Sequence, residues 1–156
     1  MQAALAIMSS ELFPIVVPVD FSDASWVALE RALKLANSAS AVHVVHVLRP
    51  LSAMEPGVAW GTIDDGTREQ AAKERLAREL KERGHEGVEA KVLFGEPARR
   101  VADYAEEQGA PMVVVSAFGH SGIMRVLLGS VAERVVRLSK CDVLVVRPNP
   151  GTATAL

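Results

Sequence analysis

Five short apolar runs punctuate the chain, at residues 13–19 (FPIVVPV), 41–48 (AVHVVHVL), 88–94, 111–115 and 141–148. Each is too short for a stable helix and most are rich in β-branched residues, so each predicts a buried strand. Between them the apolar positions change to helical spacing. Val27, Leu29, Ala32, Leu33, Leu35 and Ala36 give a broad apolar face over 24–36. Ala72, Leu76 and Leu80 recur every fourth residue among Glu, Lys and Arg, which predicts an amphipathic helix over 69–83, stopped by Gly84, with a solvated charged face. Thr67 and Gln70 make a capping box at its start. Pro97 suits a first helical position, and Ala98, Val101, Ala102 and Ala105 line one face of a third helix up to Gly109. Val131, Val135 and Leu138 predict a fourth helix reaching about Lys140, with Ser130 as its cap in an S-x-x-E box with Glu133.

Strands alternating with helices specify an α/β domain, here an open five-stranded, mostly parallel sheet with helices on both faces. In such sheets ligands sit beyond the carboxyl ends of the strands. The first strand ends there at Asp20-Phe21-Ser22, where Asp20 faces a ligand or, equally, Asp20 or Ser22 caps the next helix. The run Val113-Val114-Val115 leads into a small-residue loop, Ser116 to Gly122, and then to Gly129-Ser130 at a helix start. Strand, glycine loop and helix N-terminus together can hold phosphate, because free amides and the positive end of the helix dipole point at the anion. A tight turn followed by a helix cap predicts the same glycines.

Gly119, nine residues and then Gly129-Ser130 resemble the nucleotide loop of the universal stress protein family, G-x2-G-x9-G-[S/T], with Ser116 at its first glycine. The resemblance extends to VPVDFS at 17–22, His46-Val47, G-x-P at 95–97 and LLGSVAERVV at 127–136. It covers residues 12–148. That leaves 1–11 as an N-terminal extension, with Met8 as an alternative start, and 149–156 as a disordered tail. The resemblance implies a Rossmann-like fold, of the adenine-nucleotide α-hydrolase type, with strand order 3-2-1-4-5. It implies ATP or a related adenine nucleotide, with Mg²⁺ bridging the phosphates. Adenosine would lie against Pro18, Val19, Asp20, Val47 and Val115. The triphosphate would run over Ser116 and Gly119 to the amides of Gly129, Ser130 and Val131. It also implies a homodimer through the last strand, Val143, Leu144, Val145 and Val146, an edge apolar enough to need covering. His120 stands where the family more often has Arg or Lys, so its charging near pH 6.5 would make affinity pH-dependent.

The implied function is a dimeric stress-response switch with little or no turnover, read by a protein partner. Two other classes remain: a nucleotide-free dimeric interaction module, and a small enzyme using His120 or Ser121. No P-loop, G-x-G-x-x-G, H-x-G-H or S-G-G-x-D-S motif is present. No general base or arginine finger is evident, so any hydrolysis would be slow.

Composition narrows the partners. The chain has 156 residues, 49% hydrophobic, and a formal net charge of −2, which offers no electrostatic footprint for nucleic acid. A single cysteine, Cys141, excludes an internal disulfide framework and fits a reducing, cytoplasmic setting. The first ten residues lack the basic region and length of a secretory signal, and no apolar stretch is long enough to span a membrane. His43 and His46, three apart on a strand, fall on opposite faces and cannot share a metal. Residues 49–66 hold two prolines and three glycines without periodicity, a long loop in which Trp60 anchors to the core or covers a pocket.

Overall fold

The structure is a computed structural model that describes residues 14–51, 64–119 and 128–148. The expectations for the extension 1–11, Trp60, His120, Ser121 and the tail 149–156 lie outside the described residues. The elements run β1 (Ile15–Pro18), α1 (Asp23–Leu35), a 3₁₀ turn (Ala39–Ala41), β2 (Val42–Leu48), α2 (Asp65–Glu82), β3 (Glu89–Phe94), α3 (Pro97–Glu107), β4 (Met112–Ser116), α4 (Ser130–Leu138) and β5 (Asp142–Val146).

All five strands are parallel, in the order β3-β2-β1-β4-β5. The apolar runs explain this arrangement. Ile15, Val16 and Val17 have no exposed surface, which requires cover on both faces of β1. On one face Ile15, Val17, Val42 and Val44 pack with Leu29 and Ala32 of α1 and Leu76 and Leu80 of α2. On the other, Val16, Val45, Val113 and Val115 pack with Ala98, Val101 and Ala105 of α3 and Ala132 and Val135 of α4. Chain direction across the sheet reverses at β1 and β4, so a crevice opens between their carboxyl ends.

Helix starts depart from the sequence reading at two places. Asp64, not Thr67, caps α2: its carboxylate accepts from the Thr67 amide at 2.8 Å and from the Thr67 hydroxyl at 2.7 Å. Thr67 thus lies inside the helix, which begins within the expected loop. Gln70 bonds forward to Glu74 instead of back to a cap. Likewise Gly129, not Ser130, is the cap of α4, without a side-chain cap bond. Elsewhere the signals hold: Pro97 opens α3 behind a Glu96 cap, and Gly84 and Gly109 adopt positive φ just past α2 and α3.

The charged face of α2 is only partly solvated. The Arg75 guanidinium lies 3.9 Å from the Phe21 ring centre and that of Arg83 lies 4.6 Å from Trp26. Glu79, between them on the helix, pairs with Arg75 at 2.9 Å. Two turns of α2 therefore lay a charged row over the aromatic residues that flank the start of α1.

Candidate functional site

At the end of β1, Pro18 pairs with Val45, and the Val19 amide donates to the Val45 carbonyl at 2.9 Å. That pairing carries the chain to Asp20 at the mouth of the crevice. The Asp20 carboxylate accepts from the Ser22 amide at 3.0 Å and from the Ser22 hydroxyl. Ser22 is also the α1 cap, its Oγ accepting from the Ser25 amide at 3.3 Å. The two capping candidates therefore divide the work: Ser22 caps the helix and Asp20 orients Ser22.

The turn is completed by Phe21, whose φ of 66° is the only positive value outside glycine among the described residues. A bulky side chain takes this conformation only where its surroundings hold it. Here the Phe21 ring meets His46 at 4.5 Å between centres, Trp26 at 6.2 Å and the Arg75 guanidinium. His46 also donates from Nδ1 to the Val19 carbonyl at 2.8 Å, since a carbonyl can only accept. Burial holds the His46 pKa below the ordinary imidazole value, and Arg75 adds to that depression. The Val19 bond and Asp20 oppose it. Phe21, His46 and Arg75 were not legible as site residues. No sequence signal marks a phenylalanine for left-handed backbone.

Across the crevice the backbone does the work. Gly119 comes so close to Asp20 that a Cβ there would stand 2.7 Å from the Asp20 carboxylate. At Gly129 a Cβ would stand 3.0 Å from the Ala117 carbonyl oxygen, and the Gly129 amide donates to that oxygen at 2.8 Å. Close approach and not backbone conformation restricts both: neither has positive φ, and the neighbour is a movable carboxylate at Gly119 but main chain at Gly129. Ser116 has ordinary backbone too, so serine costs nothing conformationally at that place. Its hydroxyl donates to the Phe118 carbonyl at 2.7 Å and so braces the loop.

The predicted residues therefore fall into two connected groups. Asp20, Gly119, Gly129 and Ser130 follow one another across the crevice through Phe118 and Ala117. Val115, nearly buried, packs with Val47 and Val131 in the apolar cluster beneath α3 and α4. Pro18, two residues after Val16, points to that same face. Val19 does not; it belongs to the opposite cluster. His43 and His46 lie on opposite faces as expected, His43 bonding the Tyr104 hydroxyl at 3.0 Å.

The first turn of α4 leaves the amides of Ser130 and Val131 without helical partners, and the exposed Ser130 side chain takes no part in capping. A helix N-terminus beside closely approaching glycine backbone, with a carboxylate fixed by Ser22 opposite, is an arrangement suited to an anionic ligand that also carries hydrogen-bond donors. Among the described residues, no group of three His, Cys, Asp or Glu side chains is placed to hold a metal. No helix among them is long and apolar enough to cross a membrane.

Strand order and helices on both faces define a doubly wound α/β protein whose switch point lies between β1 and β4. Residues 12–147 match the model of the universal stress protein family. The chain belongs to that family. It is 34% identical over 142 residues to the universal stress protein YxiE of Bacillus subtilis, covering 84% of this chain and 96% of the relative. The solved structure of the hypothetical protein MJ0577, from Methanocaldococcus jannaschii, superposes with a TM-score of 0.71 at 24% identity, covering 89% of this chain and 99% of the other. A universal stress protein solved in complex with cAMP superposes with a TM-score of 0.53 at 29% identity, covering 85% and 94%.

Proposed function

We propose that this chain binds an adenine nucleotide, ATP in the first instance, and acts as a stress-response switch without appreciable turnover. The observation that carries the reading is the paired close approach of Gly119 to Asp20 and of Gly129 to Ala117, which keeps a side-chain-free floor beneath the α4 amides. The base and ribose lie against Pro18, Val19, Asp20, Val47 and Val115, with Val19 acting through its backbone. The phosphates cross Ser116 and Gly119 to the Gly129–Val131 segment, where Ser130 Oγ adds a donor. Mg²⁺ arriving with the nucleotide would offset the phosphate charge. Capture of cAMP by a related universal stress protein supports an adenine ring in the equivalent crevice. Absence of an arginine finger from the sequence reading supports slow turnover.

The β5 edge supports a homodimer. Val143, Leu144 and Val145 keep partial exposure and Val136 of α4 is 46% exposed, whereas the opposite edge, β3, opens with the charged pair Glu89–Lys91. Charged edges discourage pairing and apolar ones invite it.

The test is thermal unfolding of nucleotide-stripped protein with Mg²⁺-ATP, ADP, AMP, cAMP and GTP. Ligand at ~100 times Kd adds about 2.7 kcal/mol, a rise of roughly 5–10 °C at this size. An ATP shift that shrinks in Ser130→Ala, whose own baseline is unchanged, supports the switch. One observation favours a second reading: the Ser116 hydroxyl is already engaged by the Phe118 carbonyl. No shift with any nucleotide would leave the loop a structural brace and the chain a nucleotide-free interaction module.

A further inference from the structure

Helix α2 contributes none of the residues proposed to touch nucleotide, yet it reaches the turn that carries Asp20. Asp20 is followed directly by Phe21 at φ 66°, a conformation that L side chains avoid. Three groups close on the Phe21 ring: His46 from β2 at 4.5 Å between centres, Trp26 from α1 at 6.2 Å, and the Arg75 guanidinium from α2 at 3.9 Å. His46 holds the preceding peptide as well, through Nδ1 to the Val19 carbonyl at 2.8 Å. Arg75 is itself steadied by Glu79 at 2.9 Å. The turn's outcome is a carboxylate fixed by the Ser22 amide at 3.0 Å and seated against Gly119.

We propose that Phe21 is a positioning residue whose ring, clamped between His46 and Arg75, holds the left-handed turn and so aims Asp20 into the crevice. Arg75 of α2 then tunes the site without touching its ligand. The ring acts as a peg. Its burial under Arg75 offsets the backbone cost at Phe21, and movement of α2 away from the ring loosens Asp20. The ligand consequence rests on the nucleotide reading above; the placement of Asp20 does not.

A role in packing and a role in positioning give different outcomes for two substitutions. Both Phe21→Ala and Phe21→Gly remove the ring, but only glycine takes positive φ without strain. If Phe21 merely fills space, its other contacts keep the turn and the Ser22 amide is as well protected in Phe21→Ala as in Phe21→Gly. If it holds the turn, glycine rescues what alanine loses. The readout is hydrogen exchange of the Ser22 amide, which the Asp20 carboxylate protects. We expect protection to fall in the order wild type, Phe21→Gly, Phe21→Ala, with a glycine-to-alanine gap on the order of tenfold. Nucleotide affinity follows the same order.

Equal or faster exchange in Phe21→Gly than in Phe21→Ala overturns the proposal. If both variants unfold, Arg75→Gln and His46→Gln replace them as milder probes: each speeds Ser22 exchange, and unchanged exchange in both overturns the clamp. In folded backgrounds, Arg75→Gln has its effect only while the ring is present, so an equal effect in Phe21→Gly also overturns it. Should wild type bind no nucleotide, the nucleotide reading fails while the exchange order still decides this one.

Discussion

The β1–α1 side of the crevice offers a carboxylate beside a left-handed residue, Phe21, held by side chains from β2, α1 and α2; the β4–α4 side offers mainly backbone, brought close by missing side chains. On the first side the contacts span the sequence from Phe21 to Arg75, and each partner is replaceable in part. On the second, a Cβ at Gly129 would stand 3.0 Å from a main-chain oxygen, which moves only with its backbone. A side-chain-held site is tunable. A backbone-held site is all or none.

The difference is testable in order of expected size. Gly129→Val pushes a branched side chain into the Ala117 carbonyl and should destabilise the fold by about 2–3 kcal/mol. Urea unfolding would show it as a lower midpoint at unchanged slope; a midpoint within error of wild type would mean the loop yields easily. For that reason Gly129→Val is a poor probe of binding, and Ser130→Ala the better one. Gly119→Ala meets the end of a side chain instead, so stability should change by under about 1 kcal/mol while the displaced Asp20 carboxylate weakens nucleotide binding roughly tenfold. Calorimetry on both properties separates them, and an equal loss of stability in the two glycine variants would erase the contrast.

Arg75→Gln should cost about 0.5–1 kcal/mol, the worth of a half-exposed cation over an aromatic ring. Loss of more than twice that would assign Arg75 a structural role beyond the ring.

The smallest effect is on pH dependence. Burial lowers the His46 pKa in the folded protein, so the unfolded chain binds the extra proton first as pH falls. Stability from neutral His46 is therefore present above about pH 6.5 and declines below it toward the lowered folded pKa. His46→Gln should flatten that decline without abolishing it, because burial depresses His43 in the same direction. Denaturation midpoints across this range provide the check, and curves of the same slope would remove His46 from the pH response.

The contrast also shows why the two sides were not equally legible. Gly119 and Gly129 are visible in the chain because a close approach favours one residue type, and that restriction survives as spacing. Capping was less readable. Thr67 and Ser130 each match a capping pattern, but Asp64 three residues earlier competes for the first, and contact with Ala117 draws the second helix start back to Gly129. Phe21 was unreadable as a turn residue. Its conformation is stabilised by partners 25 and 54 positions along the chain, His46 and Arg75.

What the sequence by itself determined was the family and the class of fold. Apolar runs too short for helices had to be strands, amphipathic segments between them had to cover both faces, and the breaks after Val19 and Val115 had to lie at carboxyl ends. Tertiary structure alone decided that Phe21 takes left-handed backbone and that Arg75 of α2 lies over its ring. The physical reason is range. Periodicity and glycine spacing record local backbone demands, whereas a strained turn persists only through contacts that exist after the sheet and helices have assembled.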